Sequence, residues 1–189
     1  TRAMKSHADV LVQWLGSAVS ARIDGVTQHV PVEKAREAAL IAADADVDLV
    51  MCLGGGSAIG LAKAVAKDTG RPILAVPTTY AGSEMTPIWG VTEGGRKSTG
   101  RESRVLPRVV VYDPELTVSL PASTSAASGM NALAHCVEGL FAADAPPITG
   151  PIAQEGIRTL ATSLPLVIEH PDDLNARSAA LYGAWLAGW

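Results

Sequence analysis

The sequence predicts an α/β domain built on a parallel sheet, followed by an all-α domain. Three observations carry this reading. Short apolar runs at 48–53 and 73–76 alternate with segments of helical period. A glycine-rich turn, Gly54-Gly55-Gly56-Ser57, joins the first run to a helical pattern. After Leu120-Pro121 no further strand pattern follows. Alternating strands and helices imply a parallel sheet covered on both faces, with a ligand crevice at the carboxyl ends of its strands.

Taken in order, Val10, Leu11, Trp14, Leu15 and Ala18 recur at helical spacing across 6–19. Residues 22–26 read as a short strand, and 27–30 as a loop. Pro31 opens the next helix, where its missing N–H costs nothing, and Ala38, Ala39, Ile41 and Ala42 line that helix's apolar side to about residue 45. The strand at 48–53 leads into the glycine turn and a helix to about residue 68. Gly70 ends that helix and Pro72 prevents its return. Ile73-Leu74-Ala75-Val76 is a fully apolar run, as a strand buried on both faces should be. Residues 88–92 and 97–100, with Glu93-Gly94-Gly95-Arg96 between them, predict a hairpin. A last strand is expected at 108–112, closed by Asp113-Pro114. Helices are expected over 122–143, over 148–169 with a break or kink at Pro165, and from the cap Pro171-Asp172-Asp173 onward. A single boundary near 119–121 divides the chain into domains 1–120 and 121–189.

Composition narrows the functional classes. The chain has 189 residues, is 48% hydrophobic and 18% charged, and carries a net charge of −4. It can bury a core and is not disordered. The acidic balance argues against nucleic acid as a partner. No apolar run reaches membrane-spanning length, and the N-terminus has no signal-peptide pattern, so the reading is cytoplasmic. Cys52 and Cys136 sit in apolar sequence and read as buried thiols in a reducing compartment. Both ends read as cut, because the chain enters a helical pattern almost at once and stops in an apolar one.

The glycine turn is the first chemical candidate. Successive glycines let the backbone lie against a ligand, and the helix that follows adds unpaired N–H donors and a positive dipole end. That combination suits a phosphate or pyrophosphate, with Ser57 as cap or hydroxyl donor. Ile59 stands where a G-x-G-x-x-G pattern needs its third glycine, and no Gly-Lys-Ser/Thr follows, so the turn is neither of those two motifs. Strand-to-helix turns also favour Gly and Ser without any ligand. The segment 77–86 leaves the same expected sheet edge and carries Thr78, Thr79, Tyr80, Ser83 and Thr86. Arg96, Lys97, Arg101, Arg104 and Arg108 cluster near the hairpin, either as solvated charge or facing an anion. Asn131, His135 and Glu138 share one face of an alanine-rich helix. Asn is a neutral ligand, so Asn131 with His135, four residues apart, is weak evidence for a metal.

These residues resemble a known family. Gly54-Gly55-Gly56-Ser57, Pro77-Thr78-Thr79 with Gly82-Ser83-Glu84, Leu106-Pro107, Asp113-Pro114-Glu115-Leu116-Thr117 and Leu120-Pro121 are similar to motifs of the iron-containing alcohol dehydrogenase superfamily, in its order. The variants in 77–87, 128–135 and 176–185 resemble its maleylacetate reductase branch. The resemblance implies a dinucleotide-binding α/β domain and a helical domain, both truncated here, with the active site in a cleft between them. It implies that Gly55, Gly56 and Ser57 hold the pyrophosphate of NADH or NADPH. Thr78, Thr79 and Ser83 would contact phosphate, ribose or nicotinamide, Lys97 the ribose, and Leu116 would be an apolar contact. His135 and Asn131 become the catalytic candidates, and Tyr80 and Arg101 the candidates for holding a small dicarboxylate substrate. Metal-dependent relatives have Asp where Asn131 stands, and commonly Asp where Gly60 stands, so no metal is expected. The implied activity is reduction of the C=C bond of maleylacetate, or chloro-substituted analogues, to 3-oxoadipate during aromatic degradation, by a homodimer. Two alternatives remain: a metal-dependent alcohol or aldehyde dehydrogenase, and a non-catalytic nucleotide-binding module.

Overall fold

A computed structural model describes residues 4–27 and 29–189. The chain forms two compact units, one comprising the residues up to Pro77 with Pro87–Val111, the other Thr78–Thr86 with Tyr112–Trp189. The sequence reading places one boundary near 119–121. The chain instead passes between units three times, and Thr78–Thr86 belongs with the helices.

The first unit begins with helix α1 (Lys5–Leu15) and a 3-10 turn at Gly16–Ala18. It continues with α2 (Val32–Asp44), β1 (Val50–Gly54), α3 (Gly56–Thr69) and β2 (Ile73–Pro77). The hairpin β3 (Ile88–Glu93) and β4 (Arg96–Arg101) follows, then β5 (Val109–Val110). Strands β1, β2 and β5 form a parallel sheet in that order, with Gly54 opposite Pro77 and Ala75 opposite Val110. The alternation α2-β1-α3-β2 is thus the parallel α/β unit expected. Ala58, Ile59, Ala62 and Ala66 of α3 pack on Cys52, Ile73 and Ala75 of the sheet. Ala35, Ala38 and Ala42 of α2 meet Leu61, Ala64 and Val65 on another side of α3. Alanine on both helices allows this close approach.

Two strand expectations are corrected. Residues 22–26 form no strand. Gly25 takes φ +73°, and Arg22 turns its guanidinium to Asp9 and Asp24, so the segment is too short and too bent to pair. The strand expected at 108–112 shrinks to two residues. The loop expected at 27–30 includes Gln28, which lies outside the described residues. The hairpin is as expected: Gly94 and Gly95 have φ +54° and +77°, both positive as a type I′ turn requires.

The second unit holds α4 (Ala122–Phe141), α5 (Thr149–Glu169) and α6 (Leu174–Leu186). Their core joins Ala132, Leu160, Leu164, Val167, Ala176, Ala180, Leu181 and Ala184, with Tyr80 from the loop. Small residues set the spacing: a Cβ on Gly156 would lie 2.6 Å from Cys136 Sγ. Asp173 caps α6 by accepting from the backbone N–H groups of Asn175 and Ala176, as its sequence position predicts. Pro165 does not break α5. It and Ala161, whose carbonyl loses its intrahelical partner, both lie on the exposed face. No helix among the described residues is long and apolar enough to cross a membrane.

Candidate functional site

The glycine turn is built by the end of β1. Gly54 is buried with φ +149°, a conformation L side chains rarely adopt. Gly55, in extended conformation, is the N-cap of α3. The helical ladder starts with Ala58 and Ile59, whose N–H groups both reach the Gly55 carbonyl. The amides of Gly56 and Ser57 therefore precede that ladder, at the positive end of a 14-residue helix. A Cβ on Gly56 would meet nothing within 4 Å. Bare amides under open space are what a pyrophosphate needs. Ser57 lies within the helix as its second residue, and no side-chain cap is made; the N-cap is Gly55, two residues earlier.

On the hairpin, Lys97 and Arg101 are exposed and lie on one face of β4. The hairpin is fastened to α3. Lys63 Nζ donates to the Ile88 carbonyl at 2.9 Å, and Lys67 stands 4.8 Å from the Trp89 ring centre. Trp89 Nε1 donates to Glu102. Arg104 donates to the Lys67 carbonyl and pairs with Glu102.

In the helical unit the hydroxyl loop is an integral part. Thr78 is buried, while Thr79 and Ser83 are half-buried. Tyr80, a weak substrate candidate from sequence, is instead wholly buried in the helical core. Its backbone N–H donates to Ser128 Oγ of α4, and its hydroxyl donates to Thr117 Oγ1 at 3.2 Å. Gly82 has φ +71°, and a Cβ there would lie 2.8 Å from the Ala184 carbonyl of α6. Glu84 is buried, and its Oε1 accepts from the Tyr112 hydroxyl. Burial, then the adjacent Glu84 charge, pushes the Tyr112 phenol far above its usual range. Leu116 is half-buried on the 3-10 turn Pro114–Thr117, which Asp113 caps by accepting from Glu115 N–H.

On α4, Asn131, His135 and Glu138 are all exposed. His135 Nδ1 and Glu138 Oε2 are 3.1 Å apart, so the expected common face is real for this pair. Cys52 and Cys136 are both buried and outside any disulfide, and burial pushes the Cys136 thiol up. Among the described residues, no group of three or more His, Cys, Asp or Glu side chains stands together as a metal site. Asn131 offers a neutral amide, a poorer metal ligand than a carboxylate.

Sequence reasoning assigned no role to Arg177, Thr117 or Tyr112. Each makes a bond to a residue distant in the chain, Tyr112 to Glu84, and Arg177 and Thr117 to Tyr80, which a local pattern does not mark.

Comparison with known proteins adds the lineage. The family model described as iron-containing alcohol dehydrogenase matches residues 2–114. Its C-terminal counterpart, the Fe-containing alcohol dehydrogenase family C-terminal model, matches residues 125–189. A maleylacetate reductase of Sphingobium indicum is 54% identical over 181 residues, 96% of this chain and 51% of its own. A crystal structure of maleylacetate reductase from Agrobacterium tumefaciens superposes with a TM-score of 0.95 at 46% identity, over 100% of this chain and 54% of that one. Sulfoacetaldehyde reductase from Bifidobacterium kashiwanohense, crystallised with NAD+, gives 0.89 at 27% identity, over 97% of this chain and 55% of that one. The chain thus spans about half the length of the relatives it matches.

Proposed function

We propose, from the premise that the chain belongs to the iron-containing alcohol dehydrogenase family, that the protein is an NAD(P)H-dependent reductase of the C=C bond of maleylacetate. The product would be 3-oxoadipate, and the setting aromatic degradation. The single observation that carries this is the similarity to maleylacetate reductases, near half identity along the whole chain.

The chain's residues fit that chemistry. Gly55, Gly56 and Ser57 offer backbone amides to the pyrophosphate. Thr78, Thr79 and Ser83 supply small donors, Lys97 a cation for the ribose, and Leu116 an apolar surface. When bound, the dinucleotide would supply the hydride, and addition at the alkene carbon β to the substrate ketone would leave an enolate oxyanion. A donor aimed at that oxygen stabilises it without a metal. His135 is that donor: Glu138 Oε2 lies 3.1 Å from its Nδ1 and orients the ring. Asn131, one turn earlier, orients the substrate or binds one of its carboxylates, and Arg101 is a candidate for the other. A proton from water at the α carbon completes the reduction, so one hydride and one proton are added in all. This reading routes no step through iron or zinc, since Asn131 offers a neutral amide rather than a carboxylate.

A cytoplasmic setting and a homodimer belong to this reading, the latter on the family resemblance. The test is oxidation of NADH and of NADPH by the purified protein with maleylacetate. Absence of substrate-dependent oxidation would sink the assignment. The family's name favours a second reading, a metal-dependent alcohol dehydrogenase, which predicts stoichiometric metal and turnover of simple alcohols instead.

A further inference from the structure

Arg177 is fully buried in the helical unit, on the first turn of α6. Each oxygen it meets is neutral. Nε donates to the Pro171 carbonyl, and Nη2 donates to the Val118 carbonyl at 3.3 Å. Nη1 donates to the Tyr80 hydroxyl at 2.9 Å and to the Thr117 carbonyl at 2.6 Å, with a longer 3.4 Å approach to Thr117 Oγ1. The chain of donation runs on from Tyr80 to Thr117 Oγ1, and from Thr117 Oγ1 to the Pro114 carbonyl.

A buried cation is a poor device for stability alone, since well-packed apolar residues of similar volume often do as well or better. What the guanidinium adds is geometry. Its planar fork of donors fixes several oxygens at once, which an ammonium does not do. The oxygens here belong to three separate segments: the hydroxyl loop through Tyr80, the turn Pro114–Thr117 with Val118, and the approach to α6 through Pro171. Tyr80 directly follows Thr78-Thr79, and Thr117 directly follows Leu116.

We propose that Arg177 is a positioning residue for the nucleotide. Through Tyr80 and Thr117 it holds Thr78, Thr79, Ser83 and Leu116 in binding-competent places before the dinucleotide arrives. This rests on the cofactor assignment above. Pre-placed loops spare the ordering cost of binding, so loosening them weakens affinity more than it slows the chemistry.

The experiment compares the intact wild-type protein with Arg177→Met, Arg177→Lys and Tyr80→Phe. It measures NADH and NADPH affinity by fluorescence titration, kcat and cofactor KM, and amide hydrogen exchange. Arg177→Met and Tyr80→Phe should weaken binding about tenfold or more, the scale of losing a charge-assisted hydrogen bond, while kcat at saturating cofactor changes far less. Arg177→Lys should recover part of the affinity. Exchange should quicken in 78–86 and 114–118 and stay unchanged in α5. Should Arg177→Met fail to fold, Tyr80→Phe carries the test, because it keeps the buried ring and removes only the hydroxyl. Wild-type affinity in a folded variant, or unchanged exchange in both segments, overturns the proposal. A wild-type protein that binds neither nucleotide overturns the cofactor assignment instead; exchange then still decides whether Arg177 fastens these loops.

Discussion

The phenol of Tyr112 donates a 2.8 Å hydrogen bond to Oε1 of the buried Glu84, joining the start of the second unit's long segment to its inserted loop. Burial, and next the Glu84 charge, raise the phenol's pKa in the folded protein. An acid raised on folding stabilises the fold below its unfolded pKa, about 10 for tyrosine, and that contribution is lost as pH climbs beyond it. Tyr112→Phe should therefore cost about 1–3 kcal/mol at neutral pH by leaving Glu84 short of a donor. Its stability should also fall less than wild type's between about pH 9 and pH 11. Urea midpoints at several pH values measure both. Parallel alkaline losses in the two proteins would count against this bond.

Gly82 is the tightest point of the same loop. It needs φ +71°, and a Cβ would stand 2.8 Å from the Ala184 carbonyl, which is rigid helix backbone. Gly82→Ala thus combines left-handed strain of about 1–2 kcal/mol with an overpacking cost of about 1–3 kcal/mol. Thermal melting should show a drop of that combined size. Hydrogen exchange should place the loosening in Thr78–Thr86. A melting point equal to wild type would mean the loop is not seated as described.

The allegiance of that loop is also what the sequence could not reveal. The alternation of strands and helices, the glycine turn and the Gly94-Gly95 hairpin are written in short-range periods and turn chemistry, which a linear reading detects. The face holding His135 and Glu138 follows from a spacing of three. Thr78–Thr86 follows a strand and reads as a sheet-edge loop. It joins the helices through contacts that span much of the chain, from Tyr80 to Ser128 and from Arg177 back to Tyr80. Arg177 carries charge, and charge normally signals solvent. The strand expected at 22–26 failed for the opposite reason: Ile23 and Val26 suggest pairing, and Gly25 with the Arg22 ion pairs prevents it.

His135 is exposed and makes its side-chain bond to Glu138, so replacing it should leave the fold intact. His135→Ala should lower kcat with maleylacetate by about 100-fold or more, the loss seen when an oxyanion donor is removed. Cofactor affinity should stay near wild type. Unchanged turnover would remove His135 from the mechanism.

Metal dependence separates the two readings of the family. Asn131 supplies no carboxylate, so protein stripped by a chelator should retain maleylacetate-dependent NAD(P)H oxidation, and metal analysis should find far less than one ion per chain. Activity that vanishes on stripping and returns with iron or zinc would favour the metal-dependent alternative.

Gly56 gives the sharpest test of the phosphate grip, because fold and binding make opposite demands there. Its φ is one that L residues adopt, and a methyl group would meet nothing within 4 Å. The fold should accept Gly56→Ala and gain up to about 1 kcal/mol, since alanine suits a helix better than glycine. The same methyl group would enter the open space beside the first turn, where this reading seats the pyrophosphate. NAD(P)H affinity should therefore fall about tenfold or more while the melting point holds or rises. Gly54→Ala is the control: its φ of +149° makes it lose stability first, so the neighbouring glycines separate a strained backbone from a ligand seat. If Gly56→Ala binds nucleotide as tightly as wild type, the pyrophosphate does not rest on this turn.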